Sequence, residues 1–110
     1  MAEISIIAGR RGEAYVGGRV VARIGQWDAR AFPGGDWEGS CECEWYKEND
    51  EEAFRLLTAG GTEVVLALYD YNEACYRCTA LATATRPMNM IGEVATLELS
   101  LKGTGPIGRH

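Results

Sequence analysis

Four cysteines stand at Cys41-x-Cys43 and Cys75-x-x-Cys78, the right number for a four-thiolate zinc site. Geometry works against the first pair. Residues two apart on an extended strand lie roughly 6.8 Å apart, whereas sulfurs sharing one zinc at about 2.3 Å must approach within about 4 Å of each other. Cys41, Cys43 and Cys78 also fall at apolar positions beside Trp37, Trp45, Tyr76 and Ala80, where free cysteine packs as a small hydrophobe. We expect reduced core thiols and no bound metal or cofactor. A site on Cys41, Cys43, Cys75 and Cys78, and a disulfide, remain the alternatives.

The carboxylates group in two places. Asp50, Glu51 and Glu52 open a helix, where the positive end of its dipole accounts for them. Asp36, Glu38, Glu42 and Glu44 alternate with apolar residues along one strand and have no cationic neighbour at short range in the chain, so paired acid–base catalysis is not expected. The sole histidine is the last residue, His110, which removes His-based triads and most general-base schemes. Gly103-Thr104-Gly105-Pro106-Ile107-Gly108 spells G-x-G-x-x-G, but Pro106 interrupts it and no helix can follow to hold a pyrophosphate. We read that segment as a loose tail and the chain as not an enzyme.

The elements that must carry these residues are mostly strands. Ala14 to Val16 and Arg19 to Ile24 flank Gly17-Gly18, a hairpin pattern. Val20, Ala22 and Ile24 share a face, then past Gly25 the apolar set moves to Trp27, Ala29 and Ala31, which reads as a β-bulge. After the Pro33-Gly34-Gly35 turn, Trp37, Gly39, Cys41, Cys43 and Trp45 alternate with Asp36, Glu38, Ser40, Glu42 and Glu44, a half-buried strand with an acidic outer face. Trp27, Trp37 and Trp45 all take apolar-face positions, as core or contact residues do.

A capping-box pair, Asn49 and Glu52, starts a helix over Asp50 to Ala59 with Ala53, Phe54, Leu56 and Leu57 on its packing side, and Gly60-Gly61 ends it. Val64 to Tyr71 is apolar on both faces, which calls for cover on both sides and makes Val65, Ala67, Tyr69 and Tyr71 candidates for contact with a neighbouring subunit. Tyr76 to Thr85 and Ala95 to Lys102 supply two more alternating strands. Six or seven short strands and one helix predict a mainly β fold, a β-sandwich or flattened barrel with one flanking α-helix.

A 110-residue chain supports one modest core, hence a single domain over 1–110, with flexible ends expected at about 1–10 and 104–110. The net charge of −5 argues against a surface that wraps nucleic acid. The opening MAEISIIAGRRG lacks the layout of a secretory signal, and no stretch approaches the roughly 20 apolar residues of a membrane helix. Assembly in the host cytoplasm is the expectation.

In order and spacing, these segments resemble the small tail tube proteins of long-tailed bacteriophages. The likeness is carried by Glu13-Ala14-Tyr15-Val16-Gly17-Gly18, Val21-Ala22-Arg23-Ile24-Gly25-Gln26-Trp27, Trp37-Glu38-Gly39-Ser40 and Leu56-Leu57-Thr58-Ala59-Gly60-Gly61. Val64 to Tyr69, Tyr76-Arg77-Cys78-Thr79-Ala80 and Ala95 to Pro106 complete it. The resemblance implies a structural subunit of the virion tail. Six subunits would form a ring by sheet-to-sheet joining, the rings stacking around a channel through which genomic DNA passes without specific binding. Tape measure and tail terminator proteins would be the partners. On that reading Asp36, Glu38, Glu42 and Glu44 face the lumen. The Phe32-Pro33-Gly34-Gly35 connection is shorter than the arm of many relatives, and four cysteines depart from the pattern. A tail terminator, a neck protein or the tube of an injection device shares the implied fold, and a small zinc- or ligand-binding β module is the alternative of another class.

Overall fold

The computed structural model describes residues 5–85, 89–92, 94–105 and 107–109. Eight strands are found there: β1 (Ser5–Val16), β2 (Arg19–Ala31), β3 (Trp37–Tyr46), β4 (Thr62–Asp70), β5 (Cys75–Ala84), β6 (Asn89–Ile91), β7 (Val94–Gly103) and β8 (Gly108–Arg109). The helix, α1 (Glu51–Ala59), follows a single 3-10 turn at Lys47–Asn49. No described helix is long and apolar enough to cross a membrane.

The six long strands pair antiparallel in the order β7-β3-β2-β1-β4-β5, and β5 closes on β7 through Ala80↔Gly103 to Ala84↔Leu99. Of the two expected forms, a β-sandwich or a flattened barrel with one flanking α-helix, the fold is a closed six-stranded barrel with one helix. Closure removes most strand edges. Edge-to-edge joining between subunits, which the tube resemblance implies, has correspondingly little free edge to work with.

Local chemistry explains the first turn. Gly17 and Gly18 have φ of 60° and 80°, the signs a type I′ hairpin demands at both central residues and the reason two glycines occupy them. The bulge expected at Gly25 is present: Ile24 faces Cys43 and Trp27 faces Cys41, three steps on β2 against two on β3. β1 bulges at the same level, since Gly9 faces Asp70 while Arg11 faces Tyr69. A further irregularity between Ala14 and Tyr15 buries both Val21 and Ala22, where strict alternation would have buried only one.

Ile24, Trp27, Trp37, Cys41, Cys43, Trp45, Leu66, Leu68, Leu99 and Leu101 fill the barrel, and Ala53 and Leu57 of α1 join the same core. The helix starts one residue later than its sequence signature suggests. Asp50, extended at φ −158°, accepts from the Ala53 N–H, whereas Asn49 donates its side-chain amide to the Val20 carbonyl and so ties the turn to β2. Both Gly60 and Gly61 N–H groups close onto the Leu56 carbonyl. Phe54 is only partly buried and Leu56 is exposed, so the packing side is narrower than expected.

Both ends expected to be loose are built in where they are described. Residues 5–10 form the first half of β1, paired with β2 from Ser5↔Ala31 to Gly9↔Trp27. At the other end Trp37 donates its indole N–H to the Gly105 carbonyl at 2.9 Å, Thr104 bonds Thr79 through backbone and side chain, and β8 pairs with β5. Gly103 is glycine because a Cβ there would sit 2.3 Å from the Trp37 ring. The G-x-G letters thus serve tryptophan packing. His110 and Pro106 lie outside the described residues.

Candidate functional site: a carboxylate-rich outer face

β3 alternates as its sequence demands, with Trp37, Cys41, Cys43 and Trp45 buried and Glu38, Glu42 and Glu44 exposed. Asp36 is exposed in the preceding turn, where its carbonyl accepts from Phe32 N–H. The flanking strands decide what these carboxylates meet. Glu42 stands opposite Glu98 of β7, Glu44 opposite Arg23 of β2, and Glu38 between Arg30 of β2 and Lys102 of β7. The view of the strand as lacking cationic neighbours holds along the chain and fails across the sheet, because register brings in residues 8 to 64 positions away.

The face is consequently graded. Its rim alternates charge, while its middle is a shallow groove of about 490 Å³ that includes Asp28, Glu42 and Glu98 with the hydroxyls of Ser40 and Ser100, and among the described residues its lining has no cationic side chain. Like charges directly opposite on neighbouring strands destabilise by a few tenths of a kcal/mol to about 1 kcal/mol. Glu42 and Glu98 form such a directly opposite pair on the outside of the barrel.

The second group of sequence candidates does not form one surface. Val65 is 44% exposed and Tyr71 57% exposed, but Ala67 is 2% exposed, sunk between Glu13 and Arg77 on the adjacent strands. Tyr69 is half-buried beneath the Arg11 guanidinium, 4.0 Å from its ring centre. Tyr71 lies in the turn beyond β4, with Arg10 5.2 Å over its ring. β4 is thus covered on its inner face and only partly on its outer one. Sequence reasoning passed over Arg10 and Arg11; the flanking Gly9 and Gly12 were the available sign of a bulge.

The thiols separate. Cys41 and Cys43 point inward from β3, Cys78 inward from β5, and Cys75 is three residues before Cys78, on the opposite face and half-buried. Among the described residues no three His, Cys, Asp or Glu side chains come together as a metal site. The neighbouring Cys43 thiol, together with burial, pushes Cys41 well above the usual thiol range, and burial pushes Cys78 up to about 12. Thiolate is the reactive form. Cys41, Cys43 and Cys78 are buried and Cys75 is half-buried, so at pH 8 a charged alkylating reagent should modify only Cys75 of the four in the native protein, counted by intact mass. Cys78 ionises near 9 when unfolded and near 12 when folded, so the stability it contributes is complete below about pH 9 and is lost as pH rises toward 12. Urea midpoints should fall across that window.

No family model, curated protein or solved structure matches the chain.

Proposed function

We propose that this chain is a structural subunit of a bacteriophage tail tube, assembled as six-membered rings that stack around a DNA channel. The observation that carries the reading is the outer face of β2, β3 and β7. A groove that brings Asp28, Glu42 and Glu98 together among uncharged residues lies across three strands of a small closed barrel, with Glu42 directly opposite Glu98. A channel that conducts DNA needs such a wall, because each cationic contact would exchange released counterions for a grip on phosphate. Asp36, Glu38, Glu42 and Glu44 face the lumen on this reading. Arg30 and Lys102 stand beside Glu38 at the rim. Tape measure and terminator proteins would complete the tail.

Negative-stain electron microscopy of the purified protein across a concentration series tests this directly. Rings or tubes with six-fold symmetry are the expected images. A strictly monomeric mass at the highest concentration, with no ring of this chain in a virion map, would overturn the proposal.

A further inference from the structure

Among the described residues, the longest stretch of long strand that closure leaves without a partner strand on one side is the start of β1; Arg19–Val21 of β2 and Thr62–Val64 of β4 are shorter. β1 pairs with β2 along its full length, but its pairing with β4 begins only at Gly9↔Asp70. The backbone of Ser5–Ala8 therefore offers donors and acceptors with no partner strand on the β4 side. Natural edges of this kind are usually blunted with lysine, proline or a covering loop. Here the four residues are Ser, Ile, Ile and Ala, in a chain that is 25% charged. The two most exposed large hydrophobic side chains in the described structure are both at this place: Ile6, 68% exposed, and Tyr71, which follows the Asp70 that pairs with Gly9 and lines the same groove as Ala8.

A second short edge matches it. β6 pairs with β7 from Asn89↔Thr96 to Ile91↔Val94, and its other side carries no pairing among the described residues. Its residues, Asn, Met and Ile, are likewise uncharged. The remaining outer strand, β8, has only two residues. We infer that the open edge of β1 at Ser5–Ala8 adds to the outer edge of β6 in a second copy of this chain, extending one barrel's sheet into the next. The inference rests on the tube reading above and assigns its contact between subunits. Because the two edges differ, the contact is head-to-tail, and such contacts close into rings when the rotation permits. A ladder of three or four residues buries far less than the roughly 800 Å² per partner of a standard interface, so a single contact is weak and assembly should depend steeply on concentration.

Ile6→Lys combined with Ala8→Lys places charge on the open edge without touching the core. Negative-stain images and mass photometry should show the ring fraction falling about ten-fold or more, while the thermal midpoint stays within a few degrees of wild type. In a Cys75→Ser background, Ile6→Cys with Met90→Cys should give oxidant-dependent links between subunits, and Ile6→Cys alone should not. Rings that survive the lysines overturn the edge assignment and leave the tube reading standing. Equal linking by Ile6→Cys alone means that the edge pairs with its own copy and overturns the partnership with β6. A wild-type chain that never assembles overturns the tube reading and this contact together.

Discussion

Replacing Trp27 with alanine should destabilise the barrel by about 3–5 kcal/mol, the range for removing a fully buried large aromatic side chain. Trp27 stands where both bulges coincide. Its indole N–H is 3.1 Å from the Arg11 carbonyl of β1 and 3.1 Å from the Tyr69 carbonyl of β4, bridging the strands at the point where their register slips. Its ring meets Tyr76 edge-on at 6.4 Å. Gly9 is matched to it, since a Cβ there would fall 2.7 Å from the indole nitrogen and 2.0 Å from the Tyr69 carbonyl oxygen. On the outside, Arg11 stacks on Tyr69 and pairs with Glu73, fastening the same joint from the solvent side.

Phe separates packing from hydrogen bonding. Trp27→Phe keeps most of the apolar contact and removes a donor from two part-buried carbonyls, a loss of about 1–3 kcal/mol. Trp45 is the control, because its indole nitrogen is buried without a hydrogen-bond partner among the described residues. Trp45→Phe should therefore cost less than Trp27→Phe. Urea unfolding followed by far-ultraviolet circular dichroism would measure all three variants. Equal losses for the two phenylalanine variants would show that the bridge at the bulge contributes nothing beyond packing.

Reversing charge at Glu42 and Glu44 should leave the subunit folded and assembled while slowing or blocking DNA delivery, if this chain lines a tail tube. The cross-strand partners predict small and opposing stability effects. Glu42→Lys faces Glu98 and replaces repulsion with attraction, whereas Glu44→Lys faces Arg23 and does the reverse. Each change is worth about 0.2–1 kcal/mol. The functional effect is not opposed in this way, because two lysines per subunit recur around every ring and along every stacked layer. Screening over roughly 8 Å at physiological ionic strength means that the defect should ease as salt is raised. DNA ejection from purified particles, followed by dye fluorescence at several salt concentrations, reads the rate. Normal ejection by the double variant, or a virion map with these side chains on the outer wall, would remove them from the lumen.

What the chain determines by itself is whatever depends on neighbours in sequence. The alternation from Trp37 to Trp45 separates a buried face from an acidic one because the pleat has a period of two, and the slip past Gly25 marks a bulge for the same reason. Gly17-Gly18 specifies its turn through the φ values it alone tolerates well. Cys41, Cys43 and Cys78 are buried as their apolar neighbours imply. Even locally there are ties that sequence leaves open: Asn49 and Asp50 are both good helix caps, and Asn49 goes to Val20, a residue of a distant strand.

Tertiary structure decided everything that depends on register between distant strands and on closure. Ala67 is sealed and Val65 is open, although both sit on the same face of β4, because what stands beside each on β1 and β5 differs. Glu38 gains Arg30 and Lys102, and Glu42 gains Glu98, through pairings that no short-range pattern encodes. The glycines at Gly103 and Gly105 read as a loose tail until Trp37 is placed beneath them. Closing β5 onto β7 consumed the edges that an open sheet would have offered, and left the uncharged stretch of β1 exposed. The physical reason is common to all of these. Burial and charge on a barrel belong to pairs and triplets of strands, and a strand carries only its own half of each pair.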